Sequence, residues 1–398
     1  MSGSRPGDDA DRMARVALTR LAEPGNRAVW QLVRAGGAEA TLDRLLGGDV
    51  PESTLRAAVI SKSATGDPRL LAEAALRRAD RLGARVVVPS DPEWPTGVES
   101  LSTLELDGGD RINRDIRPPL CLWVRGGRRL DETFARSVAV VGARAATNYG
   151  KHVTNELAFG LAEREWTVVS GGAFGIDAAA HRAALAAGGL TVAVLACGVD
   201  RPYPVGNAAM FEQIAESGLL MSEWPPGSDP LRHRFLIRNR VIAAATAGTV
   251  IVEAAARSGA VQTLSRTVAL GRRAMVVPGP VTSAMSVGCH ELLRRHPETV
   301  VVTGTAQVLE EVGRIGEYLA EIPRGRDHAR DDLDEDSALI LEAMPRRRTI
   351  APEELASRAG LGLRTVLRRL SLLELAGLVV RRHDGVTLAR PTGKVPRT

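Results

Sequence analysis

The chain has 398 residues, 44% hydrophobic and 25% charged, the balance of an ordinary globular protein with room for two or three domains. No apolar run reaches the roughly 20 residues that span a bilayer, and the polar start Met1-Ser2-Gly3-Ser4-Arg5 has no apolar segment behind it. A membrane segment and a signal peptide are therefore not expected, and the cytoplasm is the expected compartment.

The net charge of +5 suits an anionic partner without demanding one. The positive charge is nearly all arginine, with lysine only at Lys62, Lys151 and Lys394. Arginine makes bidentate phosphate contacts and stacks on bases. Cys121, Cys197 and Cys289 are odd in number, far apart and form no Cys-x-x-Cys pair, so buried free thiols are expected, with no metal site and no cofactor. Aromatics are only 3%, so each one near a glycine-rich loop gains weight as a stacking platform.

Residues 12–82 read as a small helical, SAM-like domain. Apolar residues recur at helical spacing over 12–21, 28–35, 40–46, 52–60 and 70–82, with a break at Pro24-Gly25-Asn26. Short strands are predicted at 86–89 and 120–124. From there, strands at 138–141, 166–169, 191–195, 219–222, 249–252 and 274–277 alternate with helices at 151–163, 177–187, 208–217, 238–247 and 260–271. That alternation predicts an α/β fold, a Rossmann-like parallel sheet over 83–318, covered on both faces and binding ligand at the C-terminal strand ends. Residues 319–336 form an acidic linker with Pro323, Gly325 and the run from Asp331 to Asp336. Residues 337–390 read as a winged helix, with helices at 338–343, 352–359 and 364–375 and a hairpin across Asp384-Gly385.

Five segments carry candidate function. Gly142-Ala143-Arg144 ends the first core strand, where a glycine lets backbone amides approach an anion and Arg144 adds a phosphate contact. It is neither a GxGxxG fingerprint nor a Walker A loop. Ser170-Gly171-Gly172-Ala173-Phe174-Gly175 holds three glycines in five residues, which favours anion binding by exposed N–H groups. Asp177 is placed to cap the next helix, and His181 to pack beneath the loop one turn later. In Phe235-Leu236-Ile237-Arg238-Asn239-Arg240, basic residues at a helix start oppose the dipole and so suit a bound anion. Phe235 either stacks on a base or packs in the core, and Tyr203 and Trp224 are further platforms. Glu253 at a strand end is expected to pair with Arg238 or Arg240, with Ser258 and Gly259 supporting the site. The segment from Ser286 to Leu292 reads as a loop over the pocket or a surface connection.

The ordered series GAR, SGGAxGID…AH, YP, SEW, RNRVIA, VEA…SG, VPG and GCHELL, over about residues 135–312, resembles the DNA-processing protein A family, also called DprA or Smf. The resemblance implies a Rossmann-like protein that binds and protects single-stranded DNA, helps load the RecA recombinase in natural transformation, and forms a homodimer. It carries phosphate-contact roles onto Arg144, Gly171, Gly172, Gly175, Arg238, Asn239 and Arg240, and it implies no enzyme activity. Two positions depart from the family pattern. Val205 stands where a basic residue is common, with Arg201 as a possible substitute, and Leu236 follows Phe235 where proline is usual. Two alternatives remain. One is a nucleoside-monophosphate phosphoribohydrolase using Glu253, although the PGGxGTxxE signature is missing. The other is a regulator whose Arg364, Arg368 and Arg369 enter a major groove.

Overall fold

The computed structural model describes residues 6–104, 116–320, 333–345, 348–383 and 385–389. They belong to two compact units, Met1–Ala320 and Glu321–Thr398. Pro323, Gly325, Asp331 and Asp332 of the expected linker, and Asp384 of the expected hairpin turn, lie outside the described residues.

The larger unit is built on a nine-stranded sheet. Its strands are β1 (Ala84–Val87), β2 (Leu122–Arg125), β3 (Ser137–Val141), β4 (Thr167–Ser170), β5 (Thr191–Leu195), β6 (Leu219–Ser222), β7 (Gly248–Ile251), β8 (Arg273–Val276) and β9 (Val300–Val301). Across the sheet the order is β1-β2-β6-β5-β4-β3-β7-β8-β9. The seven strands from β3 to β9 are parallel. β2 adds antiparallel to β6, and β1 antiparallel to β2. The two short strands predicted ahead of the core thus extend the same sheet.

The core strands are runs of valine, alanine, leucine and methionine because both faces are covered. Successive side chains enter opposite layers. Val138 and Val140 meet Val168, Val250 and Met275 on one face, whereas Ala139 and Val141 meet Val169, Ile251 and Val276 on the other.

Five helices precede the sheet: α1 (Pro6–Leu21), α2 (Arg27–Gly36), α3 (Ala38–Leu46), α4 (Ser53–Ser63) and α5 (Pro68–Arg81). They do not keep a core of their own. Leu18, Leu21, Leu42 and Leu45 are buried in one cluster with Val88, Trp123, Leu195, Phe211 and Leu220 of the sheet layer. Each such side chain contributes about 1.5–3 kcal/mol on burial. Arg12 grips Asp91 with two hydrogen bonds of 2.7 Å across this seam.

The sheet is then wrapped by α6 (Leu130–Ala135), α7 (Asn148–Glu163), α8 (Ile176–Ala186), α9 (Ala208–Ser217), α10 (Arg234–Ala245), α11 (Gly259–Ala269), α12 (Val287–Arg295) and α13 (Thr305–Val312). α10 begins at Arg234, four residues earlier than its apolar pattern suggests, with Arg234 held by Glu23 at 2.8 Å and Ile237 buried beside Phe235 in a small core cluster. α12 occupies the segment read as a pocket loop or connection.

The smaller unit contains α14 (Glu335–Ala343), α15 (Pro352–Ala359), α16 (Leu363–Leu375) and the hairpin β10 (Val379–Arg382) to β11 (Gly385–Leu388). Ile340, Leu355, Val366, Leu370 and Val386 form its core. Asp334 caps α14 by accepting the Ser337 N–H at 3.1 Å. Arg369 is drawn to Asp334 and Asp336, at 3.2 and 3.4 Å, and so is not free for a DNA groove. Arg364 and Arg368 are exposed.

Candidate nucleic-acid interface

From β3 the chain winds outward through β4, β5 and β6, then returns to β7 on the other side of β3. The crevice at that reversal, beyond the C-terminal strand ends, is where this architecture places ligands. An open groove of about 1130 Å³ lies there. The loop after β3, the loop after β7 and the segment from Pro230 into α10 form its walls.

The β3 loop is fixed from below. A Cβ on Gly142 would meet Ile176 at 2.6 Å, so only glycine fits. Thr147 caps α7 by accepting the Gly150 N–H at 3.1 Å. Thr147 also donates its own N–H and hydroxyl to the two oxygens of Glu253, at 2.9 and 2.6 Å. Glu253 therefore braces this loop, which corrects the expected pairing with Arg238 or Arg240. The held loop presents Arg144, whose guanidinium lies over the Phe235 ring, 5.3 Å from its centroid. Tyr203 meets the same ring edge-on, with centroids 5.9 Å apart and planes at 67°. Tyr203 is 45% exposed and Phe235 half-buried, and both line the groove.

Two further arginines, Arg232 and Arg257, are exposed along the same groove. Among the described residues, Arg144, Arg232 and Arg257 form no ion pair, in contrast with Arg201, whose guanidinium meets Asp229 at 2.7 Å. Arg257 directly precedes the Ser258-Gly259 turn, whereas no motif marks Arg232. Ser258 caps α11 by accepting the Ala260 N–H at 3.2 Å, which aims that helix start at the groove wall.

The glycine-rich loop after β4 behaves otherwise than its spacing suggests. The N–H groups of Gly171 and Ala173 turn inward and donate to Asp177 Oδ2, at 3.2 and 3.3 Å. Burial holds the Asp177 carboxyl above its ordinary range, opposed by Arg238 and those two amides. A Cβ on Gly171 would strike the Arg238 guanidinium, and one on Gly172 would strike Phe211. Gly172 and Gly175 also hold φ of 72° and 79°, the left-handed region that glycine enters freely. Ser170 is buried and donates its hydroxyl to the Val140 carbonyl at 2.6 Å. Ser170, Gly171, Gly172 and Gly175 thus shape the support beneath the groove and do not line it. Phe174 is 51% exposed but stands outside the lining, its ring over Gly206.

His181 is fully buried. Thr191 donates its hydroxyl to the Val168 carbonyl, so it accepts from His181 Nδ1 at 2.7 Å. Burial first, then Arg238 and Arg182, push the imidazole down to about 3, and it stays neutral.

The three residues of the Arg-Asn-Arg motif point three ways because each helical residue rotates about 100° from the last. Arg238 sits in the groove floor, 4% exposed, and donates to the Gly171 carbonyl at 2.9 Å and to the Val194 carbonyl. Asn239 accepts the Arg238 Nε–H at 3.2 Å and donates to the Gly259 carbonyl at 3.2 Å, tying the groove walls together. Arg240 is wholly buried in a two-pronged pair with Glu223, at 2.5 and 2.7 Å. This corrects its expected DNA contact, since the side chain has no exposed surface and both terminal nitrogens meet a buried carboxylate. Trp224 is likewise 2% exposed, with its indole N–H on Glu23 at 2.9 Å, and offers no face for stacking.

The three cysteines are free and buried, and burial pushes their thiols up to about 11 or 12. Among the described residues, no group of three His, Cys, Asp or Glu side chains is placed to hold a metal. No described helix is long and apolar enough to cross a membrane.

Comparison with known proteins agrees with this architecture. The sequence model of the DNA recombination-mediator protein A family matches residues 85–313, and that of the DprA winged helix domain matches 324–385. A Mycobacterium tuberculosis relative bearing the DNA processing protein DprA name is 46% identical over 364 residues, spanning 91% of this chain and 90% of its own. The X-ray structure of DNA processing protein A from Streptococcus pneumoniae superposes with a TM-score of 0.61 at 28% identity, over 75% of this chain and 96% of that one. A Helicobacter pylori DNA processing protein A structure, solved for its single-stranded DNA binding mode, gives 0.45 at 27% identity, over 52% and 92%. By sequence over nearly its whole length, this chain belongs to the DNA recombination-mediator protein A family.

Proposed function

We propose that this chain binds single-stranded DNA without sequence preference in the β3–β7 groove. It protects incoming strands and helps load a RecA recombinase in transformation or recombination, acting in the cytoplasm as a homodimer and as a binding protein, not a catalyst. The carrying observation is the stack of Arg144 over Phe235 with Tyr203 edge-on, flanked by Arg232 and Arg257, which form no ion pair among the described residues. Aromatic faces accept any base, whereas a duplex keeps its base faces stacked and hidden. Guanidinium groups beside them answer the phosphates. Gly142, Arg238 and Asn239 form the floor between them, and Phe174 stands nearby as a further platform. The recombinase step and the homodimer rest on family membership. Binding is favoured over catalysis because both Glu253 oxygens are engaged by Thr147.

The test is competition of oligo-dT against duplex DNA in gel-shift titrations of the full chain, together with Phe235→Ala and Tyr203→Ala. Each lost stack costs about 1–3 kcal/mol, or roughly 5-fold to 150-fold in affinity. Equal competition by duplex, or a double variant that binds as tightly as the parent, overturns the proposal.

A further inference from the structure

A second basic opening lies on the far side of the segment that walls the groove. It is a cleft of about 250 Å³ between the helical module and the sheet unit, with Arg20, Lys62 and Thr65 on one side and Ser228 and Arg234 on the other. Arg20 is in the last turn of α1. Its Nε is buried without a hydrogen-bond partner, and among the described residues the side chain forms no ion pair. The α1 end carbonyls are the natural acceptors for such a cation, but none takes a hydrogen bond from it. Burial lowers the Arg20 pKa, as expected for a charge taken from water without a counter-charge.

The neighbouring cations share one carboxylate. Glu23 meets Arg234 at 2.8 Å, Lys62 at 3.7 Å and His233 at 3.9 Å. Its charge is spent chiefly on Arg234, which leaves Arg20 and Lys62 under-neutralised. The geometry also links cleft and groove. Within one short segment, Pro230, Arg232 and Phe235 line the groove, and Ser228 and Arg234 line the cleft. A chain leaving the groove past Arg232 meets the cleft next.

We infer that this cleft is a phosphate subsite for the same DNA strand, extending its path from the groove over residues 229–233 onto the helical module. Arg20 and Lys62 hold one stretch of the sugar–phosphate backbone there, with the Ser228 hydroxyl as a further donor. This inference rests on the groove being the single-strand site, and it gives the helical module a direct part in binding.

The test is a length series of oligo-dT, from about 5 to about 20 nucleotides, titrated over salt against the full chain. Arg20→Met with Lys62→Gln removes two charges and keeps most of the bulk. Each lost contact lowers the single-strand salt slope by about 0.7, so two lower it by about 1.4. Between about 50 and 200 mM salt, the parent's advantage over the variant then shrinks about sevenfold. That change is expected only for the longer strands, and about 2.6-fold for the partly exposed Lys62→Gln alone. Unchanged slopes on long strands overturn the subsite, as does an equal deficit at every length. Failure of the groove reading is separate and shows as normal binding of short strands by Phe235→Ala.

Discussion

Replacing Arg144, Arg232 and Arg257 together by alanine removes every exposed guanidinium group lining the groove among the described residues. If each neutralises one phosphate, the salt slope of single-strand binding falls by about 0.7 per residue and about 2.1 in all. Over about 50 to 200 mM salt, the affinity ratio of parent to variant therefore falls about 18-fold, and about 2.6-fold for one arginine alone. Arg144→Ala also removes its contact over Phe235, which at an exposed site is worth about 0.5–1 kcal/mol to the fold and is read by urea unfolding. Fluorescence anisotropy with labelled oligo-dT over a salt series reads the slope. Arg201→Ala is the matched control, because Asp229 already neutralises that charge and its slope should stay close to the parent's. A triple variant with an intact fold and the parental slope refutes the assignment of phosphates to this rim.

Arg240→Ala or Glu223→Ala leaves one buried charge unpaired and should cost about 3–5 kcal/mol in urea unfolding, whereas Arg240→Met with Glu223→Met recovers most of it. A loss under 1 kcal/mol, with a lowered DNA salt slope instead, would return Arg240 to the binding surface. For His181, folding depresses the pKa from 6.5 to about 3, so the folded state favours the neutral ring. Above about pH 6.5 neither state is charged. Below it the unfolded chain takes up a proton that the folded chain refuses, so stability falls toward pH 3 by about 1.4 kcal/mol per pH unit. Comparison with His181→Asn cancels the opposing contribution of Asp177, whose raised pKa favours folding as pH falls. Parallel stability curves for parent and His181→Asn between pH 6 and 4 would rule out the neutral buried imidazole.

The alternating sheet and helices were legible because buried parallel strands leave continuous apolar runs such as Val138-Ala139-Val140-Val141. The groove's place was legible too, since the loops after β3 and β7 follow from strand order. What the sequence could not show is which way a charged or glycine residue faces. Gly171 looks the same whether its N–H meets a phosphate or Asp177, and the deciding fact is a carboxylate six residues on that bends back. Arg238 and Arg240 read alike, but Glu223 lies 17 residues upstream and takes only one of them inside. Arg232 sits in a polar connection with no periodicity, and only the folded wall shows that it reaches the groove. The helices α12 and α13 were missed because their short apolar faces are interrupted by Gly288, His290 and paired glutamates.

The first five helices and the sheet share one interior, and that has a consequence for how this architecture can vary between lineages. A relative that dispenses with α1–α5 inherits a bare greasy facet at Trp123, Leu195 and Leu220. It must either recoat that facet with polar side chains or shelter it against another molecule. Pruning the N-terminus and rewriting the sheet edge are therefore coupled evolutionary steps.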